Sequence, residues 1–247
     1  SAASDVYKRQ AQEAVKPIWQ PDLTAQPADA IVTQGEGGTV TFDEGGVHFN
    51  AVGTKGIYFD KQFDFAMNGI VITDVTFVSE SEKGFANLIF FQASASATAS
   101  QCVAIENGNL RYHSGSWKTF QYNGSDVSVA VGSEYTLRIV NDFVSSKIYY
   151  FLTGNVNGQE LTNAYLGTYN FRTADNENVV YLRSGSNKDG TKYSIRDLKV
   201  YKTETPVLIM DSAYSLITNG TLELTTLNQA NSFEVICAEG ESGWNLE

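Results

Sequence analysis

Residues 134–142 read EYTLRIVND, and the alternation within them decides the fold class. Tyr135, Leu137 and Ile139 point one way and Thr136, Arg138 and Val140 the other, the period of two of an extended strand with one buried face. The next run, KIYYFLTG at 147–154, is apolar or aromatic on both faces, as is NLIFF at 87–91. Both therefore read as central strands covered on two sides.

Working outward, strand signals recur from Gly38 to Tyr201, separated by Gly, Asn, Asp and Ser clusters, the spacing of a sandwich or barrel. GTVTF and GVHFN are joined across Asp43, Glu44 and Gly45; GIYFD, GIVITDVTFVS, FANLIFFQA, CVAIENGNLRYHS and VSVAV follow. After EYTLRIVND and KIYYFLTG come NVVYLRS and TKYSIRDLKVYK, about eleven strands in all. In the last run Tyr193 and Ile195 share a face while Leu198 and Val200 fall out of phase, which predicts a bulge near Arg196 and Asp197. Ala93 to Ser100, ASASATAS, reads as a solvated loop of small residues.

Composition agrees with strands. Thirteen Tyr and fourteen Phe stand against two Met, a bias toward residues that fit a pleated, half-buried surface. The net charge of −11 opposes a phosphate backbone or an anionic lipid surface, so nucleic acid and membrane-surface partners are excluded. No apolar run approaches the ~20 residues that span a bilayer, and membrane insertion is not expected. Cys102 and Cys237 lie far apart with no CxxC or Cys/His cluster, which argues against zinc and a disulfide scaffold; buried thiols are the simpler reading, with a single bridge left open.

The opening SAASDVYKRQ fits no targeting pattern and resembles translated adapter sequence from metagenomic assemblies, so it is set aside from the fold. Three of the four prolines, Pro17, Pro21 and Pro27, fall in 11–30, which reads as an extended linker. The expected organisation is a leader and linker over 1–30, a β-sandwich over 31–203 and a truncated β module over 204–247.

The runs LRYHSGSWKTF, EYTLRIVND and IYYFLTG, in that order, resemble the concanavalin A-like lectin and glucanase superfamily, including laminin G-like domains. TKYSIRDLKVYK is similar to the last strand of many such bacterial domains, which in the family lies near the first strand and would place Gly38–Asn50 beside Tyr193–Tyr201. The resemblance implies an all-β, antiparallel jelly-roll β-sandwich with a short C-terminal β extension. After Thr205, VLIMDSAYSLITNGTLELTTL resembles the start of immunoglobulin-like or BACON-type modules in surface proteins of gut Bacteroidota. In those proteins such modules follow carbohydrate-active or adhesive domains, which implies an extracellular or cell-surface location and further domains as partners.

Catalytic signatures are missing. A retaining glycosidase on this fold needs two carboxylates about 5 Å apart, carried in the family by a Glu-x-Asp-x-Glu strand, and no such run exists here. The acidic pairs at Glu80 and Glu82, Asp175 and Glu177, and Glu239 and Glu241 sit among turn residues and read as solvated loop charges. His48 reads as a satisfied strand histidine and His113 as a surface residue at a strand end. Arg111, Tyr112 and His113 invite comparison with polysaccharide lyases of this fold, but the accompanying family strands are absent.

What remains is YHSGSWKTFQY at 112–122, where aromatic faces suited to sugar rings alternate with hydrogen-bonding side chains. Tyr112, Trp117 and Tyr122, with Arg111 and His113, are the candidate ligand residues for a polysaccharide or glycan; Trp117 and Phe120 read equally as core. No cofactor is expected, with calcium left open at Asn187 and Asp189 in SGSNKDG. The expected function is a non-catalytic carbohydrate-binding or adhesive module. Its alternatives are a glycoside hydrolase or polysaccharide lyase of the same jelly roll, and a structural spacer.

Overall fold

A computed structural model describes residues 16–173 and 178–203, with the backbone of three short strands between 208 and 223. The described residues contain strands and turns and no helix. In chain order the first eight strands are β1 (Ala30–Thr33), β2 (Thr39–Asp43), β3 (Gly46–Asn50), β4 (Ile57–Gln62), β5 (Ile70–Ser79), β6 (Phe85–Gln92), β7 (Gln101–Glu106) and β8 (Asn109–Ser114). They are followed by β9 (Ser116–Thr119), β10 (Gln121–Tyr122), β11 (Ser125–Asp126), β12 (Glu134–Asp142), β13 (Lys147–Val156), β14 (Gln159–Asn170), β15 (Tyr181–Ser186) and β16 (Lys192–Thr203).

Two seven-stranded antiparallel sheets form the sandwich. The front sheet runs β1-β4-β15-β6-β7-β8-β9 and the back sheet β14-β13-β12-β5-β16-β3-β2, so chain neighbours are often separated, as in a jelly roll. The expected all-β jelly-roll β-sandwich is what forms. β16 pairs with β3 through Lys192↔Asn50 to Ile195↔Val47, beside the early strands as the resemblance implied. Its register against β5 shifts between Ile195 and Asp197, the bulge expected from the change of phase.

Inward residues of both sheets interdigitate as one core. Phe49 stacks on Tyr193 at 4.4 Å between ring centroids, and Phe77 on Tyr135 at 5.7 Å. Phenols survive in this core because each hydroxyl is paired. Tyr193 Oη meets Ser184 Oγ at 2.9 Å, Tyr135 Oη donates to the Asn155 carbonyl at 2.8 Å, and Tyr150 Oη accepts from Gln101 Nε2 at 3.4 Å. On the outer face of the back sheet, Ile70, Ile72, Val140, Tyr149 and Phe151 form a second apolar cluster, which is why β13 is apolar on both faces.

Several elements depart from the sequence reading. Residues 16–30 are not a free linker. Trp19 is buried against Phe59 and Phe63, exchanges backbone hydrogen bonds with Val200, and donates from its indole to Asp29, which also pairs with Lys61 at 2.7 Å. β14 was not expected; its Gly, Asn and Thr content and two register shifts against β13 hide its alternation. VSVAV at 127–131 makes a single bridge, Asn109↔Ser128, with Val127 and Val129 turned into the core. Beyond Thr203, Leu208–Ile209, Ser215–Thr218 and Thr221–Glu223 pair as a three-stranded antiparallel sheet. Cys237, the leader and the acidic pairs after Thr173 lie outside the described residues.

Candidate ligand-binding groove

The front sheet presents its outer face as two readable rows. In one, Asp60 lies opposite Arg183, Arg183 opposite Phe90, and Phe90 opposite Cys102. In the next, Tyr58 lies opposite Gly185, Gly185 opposite Asn87, Asn87 opposite Ala104, and Ala104 opposite Arg111. A register shift between Asn87 and Ile89 keeps Asn87 and Phe90 on the same face despite their odd spacing. The second row is low, because Gly185 and Ala104 flank Asn87. Gly185 has to be glycine: its φ is 156°, and a Cβ there would sit 2.5 Å from the Tyr58 ring, which lies across it.

The first row is anchored by a buried ion pair. Arg183 meets both oxygens of Asp60 at 2.8 Å, and Tyr181 donates to the same carboxylate at 2.9 Å. Asp60 is 1% exposed, and three donors satisfy its carboxylate oxygens. Burial, with the neighbouring carboxylate, pushes the Tyr181 phenol up to about 12. The Arg183 guanidinium also lies 4.1 Å over the Tyr58 ring and donates to the Ala95 carbonyl at 2.8 Å.

That last bond ties the 93–100 loop to the sheet. The loop was expected to be solvated; its early residues are exposed, but Ala99 and Ser100 are buried and the segment walls a groove. The groove encloses about 190 Å³ between Tyr58, Asn87, Phe90, Gln92, the loop, Arg172 and Arg183. Arg172 is held at its rim by a backbone bond to Ser100 and a contact of 3.7 Å from Nη1 to Cys102 Sγ. Burial pushes the Cys102 thiol up to about 11, which favours its protonated form at neutral pH.

Phe90 continues the groove toward an aromatic end. Trp117 lies 6.1 Å from Phe90, 5.0 Å from Phe85 and 5.3 Å from the His113 ring. His113 is half-buried and its Nδ1 has no hydrogen-bond partner; burial first, and the Arg172 charge second, hold its pKa below the usual imidazole value. Arg111 pairs with Glu106.

The sequence-derived candidates therefore separate. Arg111, His113 and Trp117 face outward on the front sheet, with His113 directly opposite Trp117. Tyr112 faces inward, 3.8 Å from Tyr169 and 4.6 Å from Phe120. Its edge reaches a second cavity of about 490 Å³ with Lys118, Thr119, Gln121, Asp126 and Tyr169. Tyr122 packs against the core from β10, away from Trp117. Asp189 accepts from the Gly53 amide at 2.8 Å, tying two loops distant in sequence, and among the described residues no three His, Cys, Asp or Glu side chains cluster. Sequence reasoning missed Tyr58, Asn87, Phe90, Gln92, Arg172 and Arg183. One signal was available, the carboxylate of Asp60 embedded in the apolar run IYFD.

The outward carboxylates do not make a glycosidase pair. Asp60 and Glu106 are three strand spacings apart, about 14 Å, with Glu106 four residues further along β7 than Cys102 in the row of Asp60. A hydrolytic pair sits about 5 to 9.5 Å apart. Each carboxylate is also neutralised by its own arginine.

No family model matches the chain, and no curated protein matches it. Solved structures do. The chain is similar to the Crh5 transglycosylase in complex with NAG, with a TM-score of 0.52 at 12% identity over 85% of this chain and 95% of that one. Apo Crh5 gives 0.50 at 14% identity over 77% and 87%. A protein of unknown function with a galectin-like fold from Bacillus subtilis gives 0.49 at 14% identity over 76% and 96%. At such identities the likeness to Crh5 shows the fold alone, an antiparallel jelly-roll β-sandwich.

Proposed function

We propose that the chain is a non-catalytic carbohydrate-binding module whose ligand lies in the groove of the front sheet. The observation that carries this reading is the groove itself. Aromatic surfaces of Tyr58 and Phe90 stand beside the amide of Asn87 and the guanidinium of Arg172, with Gln92 behind them donating to the Ser94 carbonyl at 2.7 Å. A pyranose has apolar C–H faces that stack on aromatic rings and hydroxyls that hydrogen-bond at its edge. The Crh5 complex with NAG supports the carbohydrate-binding part of the reading alone, since it is a sugar complex of a transglycosylase on the same fold.

The non-catalytic part rests on the neutralised carboxylates and the protonated thiol. The reading extends to an exported, multidomain bacterial surface protein in which residues 204–247 open a second β module. The short sheet after Thr203 supports that division.

Affinity electrophoresis against a panel of soluble polysaccharides tests the function, using the wild type and Phe90→Ala. Retardation by at least one polysaccharide, weakened in the variant, is expected, with no reducing ends released. Migration unaffected by every polysaccharide, or equal retardation of both proteins, would exclude the groove as a glycan site.

A further inference from the structure

We infer that the groove selects an anionic saccharide, one whose carboxylate or sulfate group is received by Arg172. This rests on the groove being a glycan site and names the class of glycan it takes. The chain carries 28 acidic residues against 17 basic ones, yet among the described residues two arginines and no free carboxylate face this cavity. The nearest carboxylate, Asp60, is buried beneath it and committed to Arg183 and Tyr181.

Arg172 lies just beyond β14 and, like Arg196 of β16, whose guanidinium donates to the Gly45 carbonyl, has no carboxylate within ion-pair distance among the described residues. Arg111, Arg138 and Arg183 are each paired with a carboxylate, on Glu106, Asp74 and Asp60 respectively. Arg172 is exposed at the groove rim, and its only side-chain contact among the described residues is the Cys102 sulfur, a weak and uncharged acceptor. A guanidinium whose backbone is anchored and which meets no anion among the described residues offers a fork that matches a carboxylate or sulfate. The influence of Arg172 reaches along the face, since its charge helps keep His113 neutral. Asn87 then remains for hydroxyls and Phe90 for the ring face, while the Gln92 amide is committed to the Ser94 carbonyl at 2.7 Å.

Arg183 does not compete for the anion. Both ends of its guanidinium are already engaged by Asp60 and the Ala95 carbonyl, so its role is to build the wall.

Calorimetric titration with polygalacturonate, alginate and dextran sulfate, against neutral dextran and laminarin, tests the inference in the wild type, Arg172→Gln and Arg172→Lys. Preferential binding of a polyanion is expected, weakened about tenfold or more by Arg172→Gln, less by Arg172→Lys, with unchanged melting temperatures because the side chain is exposed. Binding to polyuronates alone assigns a carboxylate, and binding to dextran sulfate alone a sulfate ester. Preference for the neutral polymers, or polyanion binding indifferent to Arg172→Gln, overturns the inference while leaving the groove a glycan site. Failure to bind any of them, together with no retardation across the wider panel, overturns both.

Discussion

Arg183 grips Asp60 through two parallel hydrogen bonds of 2.8 Å, Nε to Oδ1 and Nη2 to Oδ2, directly beneath the groove. The pair joins β4 to β15, and through Arg183 reaches the 93–100 loop. Deleting one partner leaves a desolvated charge. Arg183→Met should lower unfolding stability by about 3 kcal/mol in urea titration, the cost of breaking a buried pair from one side. A loss below about 1 kcal/mol would place this pair with exposed ion pairs.

Trp19 tests where the folded unit begins. Its ring is buried on Phe59 and Phe63 and its backbone extends the edge of β16 at Val200. Trp19→Ala should destabilise the sandwich by about 3 kcal/mol or more, as for other buried aromatics. Unchanged thermal and urea midpoints would return residues 16–30 to the status of a linker.

Tyr112 and Trp117 separate stability from binding. Tyr112 lies inside, packed at a tilt against Tyr169 and Phe120, whereas Trp117 lies outside at the end of the groove. Tyr112→Phe, which keeps the ring, should leave glycan retardation unchanged, and Trp117→Ala should weaken it. The opposite pattern in affinity gels would move the site to the cavity beside Gln121 and Asp126.

This division shows how far the sequence can be read. The bulge at Ile195 to Asp197 was legible because Tyr193, Ile195, Leu198 and Val200 are all apolar and the change of phase is local. Tyr112 and Trp117 looked like one surface, but the turn at Gly115 folds β9 back on β8 and sets Trp117 opposite His113, on the reverse face from Tyr112. The groove draws on Tyr58, Asn87, Phe90, Gln92, Arg172 and Arg183, which only strand order brings together. Prolines in 11–30 suggested a linker because an extended segment tied down by one tryptophan has the same composition as a free one.

His113 gives a pH signature. Folding favours its neutral form, so its contribution to stability is complete above the ordinary imidazole pKa and is lost as pH falls through the lowered one. Urea midpoints should decline between about pH 7 and pH 5, and His113→Gln should flatten part of that decline. Parallel curves for the two proteins would mean that the burial and the Arg172 charge do not act on this ring.

The most direct test is a nitrogen-15 NMR titration with oligosaccharide fragments of the polysaccharides that retard the protein. Shifts are expected to concentrate at the amides of Tyr58, Asn87, Phe90 and Gln92 and at the Arg172 side chain, with Gln121 and Asp126 unmoved. Shifts centred on Gln121 and Asp126, or on the back-sheet cluster around Tyr149, would contradict a glycan site on the front sheet.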